Sequence, residues 1–403
     1  MELAVVPPLH RPLRPEGQPD PLRDDLALQI EGSALDLLDP ARLEALAEDL
    51  GVMQRQRMHH IGLVSCALIA SALQRSTDTQ GRLLDAQRTY EAMGGPEGSA
   101  SGFRYQVRKS GPVLQTLLSR RLNAMAEETN DAELRGRLSI FRDVIIPDGC
   151  AFKLARALSG LYPGTGQQAE LKLHAVYSVR AGGVISVEKT AGSVHDSDGF
   201  WPKSWQPAAL YIWDLGFNSN ERFIDAAKAG AHVLQRLKSS GNPVVLASYG
   251  EGGHRRELGE PEHGGLLRLQ DACALGLVHK QRVLDLDVEI RDGKGRTVVA
   301  RVVCVPFGGE DRYYLTTLPR SIFTAHDIAE TYRIRWEVEL FFRNWKGAVR
   351  LDEIGRLQND ASLTAVVTAS MLAAVLAQGI SQGLEQLVAE RAAHDAASAA
   401  VSP

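Results

Sequence analysis

Four polar side chains recur along an aromatic segment near the carboxy terminus, and their spacing could serve chemistry at phosphate groups. The segment is YRIRWEVELFFRNWK, and the four are Tyr332, Arg335, Glu339 and Lys346. With Tyr332 at zero on a helical wheel, the other three fall at roughly 300°, 340° and 320°. The stripe therefore combines a carboxylate with two cations. A carboxylate can hold a divalent ion while neighbouring cations bind phosphate oxygens.

Two aspartates follow apolar runs that are typical of buried strands. VIIPDG places Asp148 after one run, and YIWDLGF places Asp214 after another. Carboxylates at the carboxyl ends of strands lie at the rim of an open α/β sheet, where such sheets place their sites. Taken singly, each aspartate is more often a turn former. Asp143 competes for the first position, but the pattern puts it inside the strand.

Glu339 favours a functional role for both aspartates over a role as turn formers, because its helix has an apolar face that would dock near the sheet. Two strand-end aspartates and one helix glutamate can hold two divalent ions about 3.5–4 Å apart. Oxygen ligands of this kind suit Mg²⁺ or Mn²⁺. The three carboxylates therefore predict in-line displacement at phosphorus, with Arg335 and Lys346 binding the phosphates.

The hydrophobic pattern changes its period near residue 141. Residues 35–140 show helical periodicity, and the following residues alternate as strands do. The sequence DGKG predicts the turn of a hairpin between two further strands. Thr324 and Asp327 predict a capping box at the start of the helix that carries Glu339. The predicted strand segments are FRDVIIP, LKLHAVYSVR, GVISVEKTAG, AALYIW, HVLQRLK, PVVLAS and YYLTTLP.

The helical region contains a candidate helix-turn-helix. The pattern RLLDAQRTYEAM is broken by GGPEG, and SASGFRYQVRK then predicts a short helix capped by Ser101. Arg104 and Arg108 on that short helix are candidate DNA contacts. An ordinary bundle with a solvated basic face explains the same pattern equally well.

The composition is that of an ordinary globular protein and argues weakly against a nucleic-acid partner. The chain has 403 residues, 44% hydrophobic and 23% charged, with a net charge of −4. A local basic stripe is nevertheless enough for phosphate contacts. The four cysteines form no C-x-x-C pair, which indicates reduced thiols in a reducing compartment. The amino terminus lacks the apolar run of a signal peptide, and segment 361–379 is interpreted as a buried helix and not a membrane span.

Tyr332-x2-Arg335-x3-Glu339-x6-Lys346 resembles the Y-R-E-K signature of DDE-type insertion-sequence transposases. The likeness extends to PDGCAFKL around Asp148, DLGF around Asp214 and QRLK at 235–238, and it covers roughly residues 35–385. It implies an α/β fold in which an RNase H-like mixed sheet is interrupted by a β-rich insertion and preceded by an α-helical DNA-binding region. The implied domains are a flexible arm (1–30), the helical DNA-binding region (31–140), the catalytic core (141–249 and 319–360), the insertion (250–318) and carboxy-terminal helices for dimerisation (361–403).

The same resemblance implies a function and its site residues. The protein would bind the terminal inverted repeats of an insertion sequence as a homodimer, cleave the ends and join them to target DNA. Asp148, Asp214 and Glu339 would bind two Mg²⁺ ions, for which Mn²⁺ can substitute. The DNA backbone would contact Tyr332, Arg335 and Lys346. The expected location is the bacterial cytoplasm, in association with the nucleoid.

The chain departs from this family in its insertion. Well-studied relatives stack a flipped base on a tryptophan of the β-insertion, whereas residues 250–318 contain no tryptophan. Two alternatives stay open: a catalytically inactive transposase-derived DNA-binding protein, and an RNase H-like nuclease without strand transfer. Trp336 and Trp345 are interpreted as core residues. The pair His195–Asp196 is interpreted as a loop after a strand, because no partner His or Asp accompanies it at a helical interval.

Overall fold

The computed structural model describes most of the chain between residues 38 and 401. The largest unit is Asp39–Val375; the second unit combines Met1–Leu38 with Leu376–Pro403. The helices and strands below belong to the first unit, apart from the end of the last helix. The described residues are 38–53, 59–74, 81–128, 134, 136–199, 204–238, 240–250, 253–257, 265–274, 283–307, 310–336, 338–339, 343 and 349–401.

Among the described residues, four helices precede the sheet: α1 (Pro40–Asp49), α2 (Ile61–Leu73), α3 (Arg82–Ala92) and α4 (Ala100–Glu128). Asp39 caps α1 by accepting from the backbone N–H of Ala41 at 2.9 Å, and Pro40 takes the first position, where its missing N–H costs nothing. Gly62 in α2 lies so close to α1 that a Cβ there would meet the Pro40 carbonyl oxygen at 2.0 Å. The glycine therefore permits the close crossing of α1 and α2.

The prediction of a short helix after GGPEG is wrong in two respects. Helix α4 runs for 29 residues and continues through Pro112. Its start is capped by Ser99, whose hydroxyl accepts from the backbone N–H of Gly102 at 3.1 Å, and not by Ser101. The helix survives the proline because buried residues such as Val113 and Leu117 continue the apolar face beyond it.

Ten strands form one sheet in the order β3-β2-β1-β4-β5-β10-β9-β8-β6-β7. Strands β1 to β3 are an antiparallel meander, and β1, β4 and β5 are parallel neighbours. A meander followed by two parallel strands is the RNase H-like arrangement, so the predicted fold class is confirmed. The strands are β1 (Val144–Lys153), β2 (Glu170–Ser178), β3 (Gly183–Ala191), β4 (Leu210–Trp213), β5 (His232–Arg236), β6 (Val244–Tyr249), β7 (Arg255–Arg256), β8 (Leu284–Arg291), β9 (Thr297–Phe307) and β10 (Glu310–Thr316).

Strand β1 is longer than the apolar run that predicted it. Asp148 therefore lies in the middle of the strand, opposite Ala175 of β2, and the prediction of a strand-end aspartate is wrong for this residue. The strand continues because Cys150 and Phe152 remain buried after the charged position. Asp143 lies before the strand and not inside it, and its carboxylate accepts from the Ser178 hydroxyl at 2.7 Å.

The β-rich segment continues the sheet of the core. Strand β10 pairs with β5 in antiparallel register, with Tyr314 opposite Arg236, and with β9 on its other side. One hydrophobic core extends under both halves of the sheet, from Trp213 and Phe223 to Leu286 and Val302. The hairpin predicted at DGKG is confirmed as the turn between β8 and β9.

The predicted capping box is present at the start of α8 (Ala325–Arg333), where the Thr324 and Asp327 side chains bond each other's backbone N–H. After a turn at Ile334, the described residues 335–336, 338–339 and 343 are again helical. Trp336 is 56% exposed, so its assignment to the core is wrong. Trp345 and Lys346 lie outside the described residues.

The remaining helices are short, except for the last one. Segment Asp360–Ile380 of α9 is long and apolar enough to cross a membrane, but 72% of its most apolar window is buried within the protein. This extent of burial is typical of a core helix, which agrees with the interpretation of segment 361–379 from the sequence. The helices are α5 (Asp196–Gly199), α6 (Asn220–Lys228), α7 (Leu269–Ala274) and α9 (Asp360–Val401), with 3₁₀ turns at Gly136–Ile140, Arg156–Leu158, Leu215–Phe217 and Leu351–Arg356.

A carboxylate cluster around Arg335

The register of two parallel strands places Asp148 beside Asp214. Ile145 of β1 is aligned with Tyr211 of β4. Asp148 lies three residues after Ile145, and Asp214 lies three residues after Tyr211. The two aspartates therefore lie next to each other at one end of the sheet. Asp214 directly follows β4, as its sequence predicts, and begins the 3₁₀ turn Leu215–Phe217.

Packing of α8 on the sheet brings the third carboxylate to the same place. The helix lies against β9 and β5, and the ring of Tyr332 contacts that of Tyr314 at 5.1 Å between centroids. The Tyr332 hydroxyl donates to Asp214 Oδ1 at 3.3 Å. Val338 is fully buried, which fixes the segment that carries Glu339.

Arg335 lies at the centre of the cluster. Its Nη1 is 3.8 Å from Asp148 Oδ2 and 4.0 Å from Asp214 Oδ2, and its Nη2 donates to Glu339 Oε1. The Arg335 side chain is only 15% exposed, against 19% for Asp148 and 34% for Glu339. One partly buried guanidinium thus contacts carboxylates from two strands and a helix, although the Asp214 side chain is 40% exposed.

Asp148 is the carboxylate most strongly affected by its surroundings. Burial raises its pKa to about 6, and the charges of Asp214 and Glu339 act in the same direction. The Gly149 N–H, which donates to Asp148 Oδ1 at 2.8 Å, and the Arg335 guanidinium oppose this rise. A buried acid with a shifted pKa among like charges is typical of a functional site.

The charge balance of the cluster suits a divalent cation. Three carboxylates face a single guanidinium, which leaves a deficit of positive charge, and oxygen ligands are those that Mg²⁺ prefers. Among the residues that the structure describes, no three acidic, histidine or cysteine side chains converge closely enough to hold an ion together. The Arg335 guanidinium occupies the space between the carboxylates, so a metal ion there requires this side chain to withdraw.

The structure brings together five of the eight residues predicted for the site: Asp148, Asp214, Glu339, Tyr332 and Arg335. Lys346 lies outside the described part of the chain. Arg104 and Arg108 are exposed on α4 and do not belong to the cluster. The central place of Arg335 was missed, although its spacing of four residues from Glu339 is the signal of an ion pair on one helix face.

The sequence family described as the transposase DDE domain matches residues 140–376, which is more than half of the chain and includes all three carboxylates. The chain belongs to the DDE transposase family. Its relatives include the transposase of insertion sequence element IS231B from Bacillus thuringiensis subsp. berliner, which is 22% identical over 356 residues, or 78% of this chain and 72% of that protein.

A second curated relative and one solved structure complete the comparisons. The transposase of element IS231F from Bacillus thuringiensis subsp. israelensis is 23% identical over 354 residues and covers the same shares of both chains. Among solved structures, the piggyBac transposase synaptic complex with hairpin DNA has a TM-score of 0.40 and 10% identity, over 90% of this chain and 76% of that chain. This DDE transposase is therefore an enzyme that acts on DNA, in a family that generally uses divalent metal ions.

Proposed function

We propose that this transposase binds the terminal inverted repeats of its insertion sequence, cleaves the ends and joins them to target DNA. The observation that carries the proposal is the convergence of Asp148, Asp214 and Glu339, from two strands and one helix, on a single cation. Acidic side chains grouped around one cation, with a raised pKa at Asp148, are typical of a functional site.

Asp148, Asp214 and Glu339 would hold the divalent ions, which are Mg²⁺ or, as a substitute, Mn²⁺. Two such ions, when bound, help to activate the attacking oxygen and to stabilise the charge on the leaving oxygen. Arg335 then binds a phosphate of the DNA end in place of the carboxylates it contacts in the metal-free protein. Tyr332 orients Asp214 through its hydroxyl and, together with Lys346, contacts the DNA backbone, as in the Y-R-E-K group.

The helical region would bind the ends. Helices α3 and α4 are joined by the turn at residues 93–99, and Arg104 and Arg108 are exposed in the first turns of α4. We place the DNA-binding region at 31–140, the catalytic core at 141–249 and 319–360, and the insertion at 250–318. Bringing two ends together requires two active sites, so the synaptic complex is a homodimer, and the enzyme acts at the nucleoid in the bacterial cytoplasm.

A labelled duplex of the element's own end, incubated with the protein and Mg²⁺, tests the proposal. Asp148→Asn, Asp214→Asn and Glu339→Gln each lower the cleavage rate at least about a thousandfold, because several kcal/mol of transition-state stabilisation are lost. End binding in a gel-shift assay persists in all three. Glu330→Gln is the matched control, since Glu330 is exposed on α8.

Each alternative has its own outcome in this assay. Equal cleavage by wild type and Glu339→Gln contradicts the carboxylate assignment. Binding without nicking by the wild type identifies a catalytically inactive DNA-binding relative. Nicking without joining to a target plasmid identifies a nuclease that lacks strand transfer.

A further inference from the structure

Asp196 is a fourth carboxylate close to the site, and the mechanism above does not use it. It begins the short helix α5 after the loop that follows β3, and α5 lies against the 3₁₀ turn Leu215–Phe217. That turn begins directly after Asp214. The side chain of Asp196 is 34% exposed, yet its Oδ1 is fully buried.

Two glycines make room for this carboxylate. A Cβ on Gly149, the residue after Asp148, would meet Asp196 Oδ1 at 2.5 Å, a distance that real Cβ atoms essentially never show. A Cβ on Gly216, two residues after Asp214, would lie 3.4 Å from Asp196 Oδ2. The Asp196 carboxylate is therefore wedged between the backbones of the two segments that carry the catalytic aspartates.

The carboxylate acts from the back of the sheet. Successive side chains of a strand point to opposite faces, so the position of Gly149 faces away from that of Asp148. His174 of β2 is the cross-strand partner of Gly149 and shares its face. Asp196 therefore contacts the strand behind Asp148, and it is not placed as a fourth metal ligand.

Two residues of β2 lie beside Asp196, although its Oδ1 accepts no hydrogen bond. Lys172 Nζ lies 3.2 Å from Asp196 Oδ1 and donates to the Val194 carbonyl at 2.8 Å. His174 has no exposed side-chain surface; its Nε2 pairs with the Thr190 hydroxyl at 2.8 Å, and its Nδ1 lies 4.0 Å from Asp196 Oδ1 without a hydrogen-bond partner. The surroundings of the Asp196 carboxylate thus include charged and polar side chains of β2, next to the apolar core that continues along the same face.

We propose that Asp196 is a positioning residue, which sets the separation of Asp148 and Asp214 by bracing the backbone at Gly149 and Gly216. This inference rests on the proposed role of the two aspartates as metal ligands. A positioning residue behind metal ligands changes the affinity for the ion and the rate of chemistry, since both depend on ligand geometry to within a fraction of an ångström. It does not change the affinity for the DNA end.

Asp196→Asn keeps the size of the side chain and removes its charge. The matched control is Asp198→Asn, the same change two residues away on α5, where the side chain is 70% exposed. Mn²⁺ affinity is measured by calorimetry on the full chain without DNA, and the single-turnover cleavage rate is measured at saturating DNA. For Asp196→Asn we expect the Mn²⁺ affinity and the cleavage rate each to fall about tenfold or more, the usual range for residues that hold metal ligands in place. The affinity for DNA should not change. Asp198→Asn behaves like the wild type.

Gly149→Ala tests the same contact without removing the charge, because its methyl group must displace Asp196. It should reproduce the loss of Mn²⁺ affinity and of cleavage rate, also with DNA binding intact. Wild-type Mn²⁺ affinity in both Asp196→Asn and Gly149→Ala overturns the proposal. Parallel loss of thermal stability and DNA binding in both variants also overturns it, in favour of a purely structural role. Asp148→Asn in the same assays distinguishes a failure of the Asp196 proposal from a failure of the proposed function. If Asp148→Asn retains cleavage, the proposed assignment of the metal ligands is wrong.

Discussion

Arg335 gives the three acidic side chains the positive charge that they require when no ion is bound. It contacts Asp148, Asp214 and Glu339, each from a different element. Removing Arg335 would leave three neighbouring carboxylates without their shared cation, and like charges so close together repel one another. On the proposed function, an Arg335 variant would lose a phosphate contact and would also disturb the carboxylate cluster, and measurements with and without metal separate the two effects.

Neutralising Asp148 stabilises the metal-free protein. Its pKa is raised from 3.8 to about 6 in the folded state, so the folded state binds more protons than the unfolded state between these values. Stability accordingly falls as pH rises through this window, by roughly 3 kcal/mol at most. Asp148→Asn should raise the free energy of unfolding by up to about that amount at pH 7 in EDTA, measured by urea denaturation. Below about pH 4 the gain disappears; a gain of equal size at both pH values contradicts the explanation.

A network of ion pairs connects strands β8 and β9 to the start of helix α8. Arg301 of β9 is buried, donates to both oxygens of Asp285 on β8 and reaches the Phe323 carbonyl just before α8 at 2.8 Å. Arg320 binds Asp285 as well and stacks on Tyr249 at 3.6 Å. The network therefore connects β8 and β9 to the start of the helix that leads to Glu339.

Asp285→Ala should destabilise the protein by about 3–5 kcal/mol at pH 7, because Arg301 is left charged and buried. Burial opposes ionisation of Asp285, but hydrogen bonds from Arg301 and Arg320 hold its pKa below the usual 3.8. The stabilisation is thus present above the unfolded value and lost as pH falls through the folded one. Thermal unfolding should show a large deficit at pH 7 that narrows below pH 4. Asp287→Ala, on the same strand but 27% exposed, is the milder control.

Local sequence patterns predicted that the helices and strands exist better than they predicted where each one ends. The capping box at Thr324 and the hairpin at DGKG are set by neighbouring residues, so a local pattern is sufficient to find them. Strand β1 and helix α4 both extend beyond a residue that normally ends such elements, Asp148 and Pro112, because tertiary packing overrides propensity. The wedge of Asp196 against Gly149 and Gly216 depends on three segments meeting in space, which no local pattern contains.

At the scale of the whole molecule, a net charge of −4 must be reconciled with a DNA substrate. Local cations, and not the overall charge, determine phosphate contacts. If Arg104 and Arg108 each neutralise one phosphate, the double change to Gln should lower the slope of log affinity against log salt by about two. Fluorescence anisotropy at several salt concentrations measures this slope. Arg120 is exposed on the same helix, about 24 Å from Arg104 along the helix axis. Arg120→Gln should therefore leave the slope unchanged.

The pairing of β5 with β10 also determines when the carboxylate cluster around Arg335 can form during synthesis. Asp148 and Asp214 leave the ribosome first, and β5 keeps an open edge until residues 310–316 emerge to cover it. About 125 further residues follow Asp214 before Glu339 is made, which takes roughly 6–25 s at about 5–20 residues per second. A nascent chain that ends before Glu339 therefore lacks the third carboxylate of the cluster, so on the proposed function it has no complete site for cutting DNA. Because Glu339 follows all the described strands, the cluster around Arg335 forms only after that sheet has been synthesised.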